Sequence, residues 1–177
     1  ISDDSVRIRA VAYKDGQRSN YVTQTYYAAV LGTDDMFTIN GDGVITEYKG
    51  NVNYLKIPEV VNGITVKDIS SFSGFNKAKL YGVILPDTVE YLGWTVDYYD
   101  RPTTDDEQIG LFEENETLHF VVGNGIKSIG YYGMSFIPNL YEVEFPNCEE
   151  IMCAGFYESS ILGAVFPKVK KVDSEAF

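Results

Sequence analysis

One imidazole, two thiols and a surplus of carboxylates are the groups in this 177-residue chain that could do chemistry. His119 lies in the run Leu118-His119-Phe120-Val121-Val122. Alternation turns Leu118 and Phe120 inward and His119 toward solvent. A catalytic triad needs a nucleophile and an orienting acid around such a histidine, and the chain has no G-x-S-x-G elbow. The reading is a surface histidine. With 26 acids in the chain, chance carboxylate pairs are guaranteed, so their presence does not point to glycoside hydrolysis. No catalytic residue is expected.

Metal chemistry has little more support. Cys148 and Cys153 have no second cysteine pair, and the only histidine is His119, short of a zinc ligand set. The repeat register below places Cys148 inward and Cys153 at a partly exposed turn, so reduced cysteines are expected. Asn40-Gly41-Asp42-Gly43-Val44-Ile45 has the composition of a calcium-loop centre, but Lys49 stands where the bidentate Glu belongs. Asn40-Gly41 reads instead as a hairpin turn. Asn115-Glu116-Thr117 is a formal glycosylation sequon. No metal and no cofactor are expected.

A net charge of −12 and a pI of about 4.4 argue against a nucleic-acid partner and against a polybasic grip on membranes. No apolar run approaches the ~20 residues of a membrane helix, so no membrane insertion is expected. A chain of this size buries roughly 70% of its unfolded surface and can sustain a core without staples. It opens on Ile1-Ser2-Asp3-Asp4, with neither an initiator Met nor an apolar leader, and stops mid-pattern at Ser174-Glu175-Ala176-Phe177. A piece of something longer is the expectation.

The elements that must position these groups emerge from internal repetition. Four runs alternate apolar residues up to a proline: Leu55 to Pro58, Leu80 to Pro86, Leu140 to Pro146 and Ile161 to Pro167. A fifth, Leu118 to Gly123, is read with glycine in the proline place. A second apolar pair follows each: Val66 and Ile69, Val89 and Leu92, Ile126 and Ile129, Cys148 and Ile151, Val169 and Val172. Phe75, Phe112, Phe136, Phe156 and Phe177 then close the units. Each unit reads as a short strand ended by proline, a second extended piece, and a helical turn capped by a residue such as Asp173 or Ser174. No unit can bury its apolar residues alone, so the units must stack. The fold class is a mainly β repeat solenoid of short parallel strands with short helical turns.

The unit, written L-x-x-V-x-F-P-x-x-x-x-I-x-x-x-x-F, resembles the BspA-like leucine-rich repeat. The resemblance covers residues 37–177, and Phe37 to Tyr48 resembles the hairpin that starts such arrays. Residues 1–30 differ: Ile8 to Gly16 resembles the last hairpin of a chitobiase/hexosaminidase C-terminal-type β-sandwich, of which only the end is present. Residues 31–36 form a linker. The resemblance implies a bacterial cell-surface or extracellular location, where the sequon has no meaning, and an adhesion role without catalysis.

About sixteen extra residues, 93–108, delay the closure after Leu92. They hold Trp94, the only tryptophan, with Tyr98 and Tyr99. Asp97 to Glu116 contains eight acids against Arg101 alone. That stretch reads as a solvated charged loop, with flexible calcium binding left open. The other candidate surface is the concave strand face. Counting two residues back from each proline or Gly123 gives an outward ladder of Lys56, Ile84, Val121, Glu144 and Val165. Tyr81, His119, Tyr141 and Leu162 run beside it. Contiguous outward apolar and aromatic residues mark partner surfaces. The expectation is a non-catalytic binding or adhesion module for an extracellular protein. The alternatives are a carbohydrate-binding accessory module, suggested by the N-terminal hairpin and the aromatic rings, or a rigid spacer.

Overall fold

The computed structural model describes residues 5–10, 12–19, 22–70, 73–93 and 110–177. The chain begins with β1 (Ser5–Ala10), β2 (Tyr13–Lys14), β3 (Gln17–Arg18) and β4 (Val22–Tyr27). β1 pairs antiparallel with β4, from Ser5 opposite Tyr27 to Ala10 opposite Val22. β2 and β3 close the tip, where Asp15 (φ 53°) and Gly16 (φ 77°) take the two left-handed positions of a tight hairpin turn.

The solenoid is built from two stacks of short strands. The first contains β5 (Val30–Leu31), then, after a hairpin of β6 (Phe37–Ile39) and β7 (Val44–Tyr48), β8 (Tyr54–Lys56). Beyond β9 (Val60–Val61), β10 (Ile64–Thr65) and β11 (Asp68–Ile69) the same stack receives β12 (Gly82–Ile84). After β13 (Tyr91–Leu92) come β14 (Phe120–Val122) and β15 (Ser128–Ile129), then β16 (Glu142–Glu144) and β17 (Glu150–Ile151). β18 (Gly163–Val165) and β19 (Lys171–Val172) complete the series. The long sheet runs β18-β16-β14-β12-β8-β5, and each neighbouring pair is parallel. A second parallel sheet, β13-β15-β17-β19, carries Leu92, Ile129, Ile151 and Val172, the later member of the second apolar pair in the last four units; in the first unit Ile69 lies on β11, which pairs parallel with β7. This is the repeat solenoid that the sequence pattern predicts.

The core lies between the two stacks. Leu80, Val83 and Leu85 occupy the inward places of one unit, and Leu118 and Val121, then Leu140, Val143 and Phe145, occupy those of the next two; all are at most 1% exposed. Val89, Ile126 and Cys148 line the opposite wall, each fully buried. Near the start of the solenoid the Tyr48 ring stacks on Phe75 at 4.6 Å, and Phe75 meets Phe112 edge-on at 6.0 Å.

Three features depart from the sequence expectation. The first is phase. β14 pairs Val121 with Val83 and Val143, and Val122 with Ile84 and Glu144. Asn124, six residues after Leu118, therefore holds the proline place, and Gly123 stands level with Leu85 and Phe145. Val121 points into the core and Val122 is the outward residue. Phe120, expected inward, belongs to the outward row with Tyr54, Gly82 and Glu142.

The second is the closing turn. Met134, fully buried, takes the inward place expected of Phe136, which is half-buried and stacked on Tyr132. Phe177 is 62% exposed and stacks on Phe156 at 5.2 Å. The turns at 111–114, 132–134 and 153–158 are not helical. Left-handed residues recur at Glu114, Phe136 and Glu158, and again at Tyr132, Ala154 and Glu175, with φ between 52° and 59°. A left-handed residue breaks any right-handed helical run. Among the described residues a 3-10 turn closes a unit only at Phe75–Lys77.

The third is an additional hairpin, β9-β10, whose turn is Asn62 (φ 50°) and Gly63 (φ 78°). It lengthens the first unit between Ile57 and Val66 without shifting its strands.

Candidate binding face

The outer face of the long sheet carries three rows of side chains. Each row takes one residue from each successive strand, so its members stand roughly 4.8 Å apart along the stack. Parallel pairing in fixed register makes these rows straight, and the inward Leu, Val and Phe hold each strand down.

The first row is Tyr81, His119, Tyr141 and Leu162. The backbone sets their order: His119 N–H donates to the Tyr81 carbonyl at 2.9 Å, Tyr141 to His119 at 2.8 Å and Leu162 to Tyr141 at 3.0 Å. The rings follow. Tyr81 and His119 lie 5.4 Å apart and His119 and Tyr141 5.1 Å apart. Tyr81 is 37% exposed, Tyr141 41% and Leu162 84%. The Tyr141 hydroxyl donates to Asn139 Oδ1, and Asn139 donates in turn to the Glu116 carbonyl at 2.7 Å, which restrains the ring. His119 is half-buried between two tyrosine rings.

The second row is Tyr54, Gly82, Phe120, Glu142 and Gly163. Gly82 lacks the Cβ that would run into the Phe120 ring, so Phe120 lies across it and reaches Tyr54 at 5.9 Å in a stacked pair. Tyr54 also meets Tyr81 at 6.1 Å, which ties the two rows into one aromatic patch. The third row is Leu31, Lys56, Ile84, Val122, Glu144 and Val165. Lys56 and Val165 are exposed, and Ile84, Val122 and Glu144 are half-buried.

Of the nine residues expected on this face, the structure therefore gathers Lys56, Tyr81, Ile84, His119, Tyr141, Glu144, Leu162 and Val165 on one surface. Val121 is removed from it, being fully buried. The run Phe120-Val121-Val122 is apolar throughout, so alternation cannot phase it, and Gly123 supplied a false anchor. Six residues separate Leu80 from Pro86 and Leu140 from Pro146; the same count from Leu118 finds Asn124 and the correct phase. Leu31, Tyr54 and Val122 are the residues of this face that sequence reasoning missed, while Phe120, on the same side of the strand, is only 4% exposed and lies beneath the patch. Trp94, Tyr98 and Tyr99 lie outside the described residues.

The second sheet has a different chemistry. Glu90 accepts from Lys127 Nζ at 2.5 Å, Glu149 from Lys170 at 2.8 Å and Glu150 from Lys171 at 2.6 Å. Lys171 also meets Asp173 at 3.3 Å. These bonds lower the Glu149 carboxyl below its ordinary range through Lys170, and raise the Lys171 ammonium through Glu150 and then Asp173. Beside them, burial foremost and the Glu150 charge next push the Tyr91 phenol up to about 12. The Tyr91 hydroxyl points at Met152 Sδ, 3.3 Å away.

Other chemistry-bearing groups lie within the solenoid and its turns. Cys148 is fully buried and its thiol donates to the Glu150 carbonyl at 3.3 Å; burial raises its pKa. Cys153 is half-buried at the following turn. Asn40 Oδ1 accepts the N–H groups of Asp42 and Val44, the hydrogen bonds of a β6-β7 turn. Among the described residues no group of three or more His, Cys, Asp or Glu is placed to hold a metal ion. Asn115 of the sequon is 1% exposed and spends both ends of its amide inside the protein. Its Nδ2 donates to the carbonyls of Phe75 and Ala78, and its Oδ1 accepts from the N–H groups of Thr117 and Leu118.

No family model matches the sequence, and no curated protein matches it. Among solved structures, the chain is similar to the crystal structure of the T. pallidum leucine rich repeat protein (TpLRR), with a TM-score of 0.50 and 15% identity. The match covers 81% of this chain and 64% of that one, so the chain spans less than two thirds of its neighbour's length. At this identity the likeness concerns the fold: this chain is similar to a leucine-rich repeat solenoid.

Proposed function

We propose that this chain is a non-catalytic binding module of a secreted or cell-surface protein, and that the outer face of its long sheet recognises a protein ligand. The observation that carries the reading is the patch formed by Tyr54, Tyr81, His119 and Tyr141, flanked by Ile84, Val122, Val165 and Leu162. Tyrosine brings large contact area at little conformational cost, and neighbouring rings restrain one another before any ligand arrives. An aromatic centre with an aliphatic border matches the make-up of protein-binding patches. Location and adhesion follow the resemblance of the repeat to BspA-like proteins, and the resemblance of the first hairpin to a chitobiase-type module fits an extracellular, bacterial setting.

The test is a binding screen against extracellular-matrix proteins and a glycan array, repeated with Ile84, Val122 and Val165 changed to Glu. A protein hit lost in the variant, with the fold retained, supports the reading. A glycan hit that survives the variant contradicts it and favours the accessory-module alternative.

A further inference from the structure

Acids are treated differently on the two sheets. On the second sheet Glu90, Glu149, Glu150 and Asp173 each have a lysine within 3.3 Å. On the long sheet Glu142 and Glu144 face outward from β16, and neither has an ion-pair partner among the described residues. Their neighbours across the ladder are apolar: Phe120 and Gly163 for Glu142, Val122 and Val165 for Glu144. Lys56 stands on β8, with β12 and β14 in between. Three strand spacings put it roughly 14 Å away, beyond the ~8 Å screening length at physiological salt. Two uncompensated carboxylates thus sit at the border of an aromatic patch, one residue and three residues along from Tyr141.

We propose that the segment this face receives is cationic as well as apolar: a stretch of protein carrying arginine among aliphatic or aromatic side chains. The inference rests on the protein-binding reading above and names the chemistry of the partner. Arginine answers the site in two ways. Its guanidinium makes charge-assisted hydrogen bonds to a carboxylate, and its flat face stacks on a tyrosine ring. Glu142 and Glu144 supply the first, Tyr141 the second, and the Tyr81–His119 stretch with Ile84 and Val122 takes the apolar neighbours. The charge of −12 draws cations to the whole molecule, so discrimination between the two sheets is the decisive property.

The experiment is calorimetric titration of the whole chain with a synthetic peptide of alternating arginine and leucine, and with the same peptide carrying citrulline for arginine. Two charge-matched variants are compared, Glu142→Gln with Glu144→Gln, and Glu149→Gln with Glu150→Gln, after thermal melts show both folded. The expected result is binding of the arginine peptide, about tenfold or more weaker in the first variant, unchanged in the second, and absent for citrulline. No binding of the arginine peptide, equal weakening in both variants, or equal binding of citrulline overturns the inference. A protein ligand lost with Ile84, Val122 and Val165 but indifferent to Glu142 and Glu144 also overturns it, and leaves the binding-face reading standing.

Discussion

The ring of Phe120 lies over Gly82 of the neighbouring strand, in the space a side chain at Gly82 would fill. This single relationship joins the second row to the first. Phe120 reaches Tyr54 across the glycine, and Tyr54 reaches Tyr81. It makes Gly82 a position where the packing requires the absence of a side chain.

Gly82→Val therefore lifts Phe120 off the sheet. Overpacking of this kind costs about 1–3 kcal/mol, and a 1 kcal/mol loss lowers Tm by roughly 2–4 °C in a domain of this size. Differential scanning calorimetry should show that loss for Gly82→Val and much less for Gly163→Val, where an added Cβ meets only the Tyr141 carbonyl at 3.9 Å.

Asn115 holds the unit that follows the insertion against the one before it. Asn115→Ala leaves the carbonyls of Phe75 and Ala78 without their donor, and the Thr117 and Leu118 N–H groups without their acceptor. Buried unsatisfied groups cost about 1–3 kcal/mol each where water cannot replace the partner. Chemical denaturation should show a loss of unfolding free energy of at least that order. The same burial predicts that Asn115 stays unmodified in a glycosylating host, and intact mass of the secreted chain checks it.

Tyr91 gives the protein an alkaline limit. Its folded pKa is raised to about 12, above the ordinary value of 10.0. A group raised in the folded state contributes stability that is complete below the unfolded pKa and is lost as pH rises through the folded one. Wild type should lose stability relative to Tyr91→Phe between about pH 10 and 12, and the difference should be constant below pH 9. Urea melts of both proteins across this range measure it.

Much of the solenoid was legible because proline punctuates it. Leu80, Val83 and Leu85 before Pro86, and Leu140, Val143 and Phe145 before Pro146, leave one possible phase, and the structure keeps it. Where punctuation is missing, phase was lost: Val121 and Val122 are alike in type, and only counting from Leu118 separates them. Met134 displaced Phe136 for a related reason, since an aromatic two residues away looks the better closure until Leu140 fixes the spacing. The left-handed turns have no sequence signal, because Glu114, Phe136, Tyr132 and Ala154 are not residues that favour positive φ. The β9-β10 hairpin did have a signal, Asn62-Gly63, the same dipeptide that marked the β6-β7 turn.

Val122 stands on the outward side of β14 and its neighbour Val121 in the core. Paired substitutions test this placement most directly: Val121→Glu and Val122→Glu, each followed by thermal unfolding and by binding to whichever protein the screen identifies. Val122→Glu should melt close to wild type and lose binding, while Val121→Glu, which buries an unpaired charge, should fail to fold at ordinary temperature. A stable Val121→Glu protein that loses binding, beside an unfolded Val122→Glu, would contradict the account.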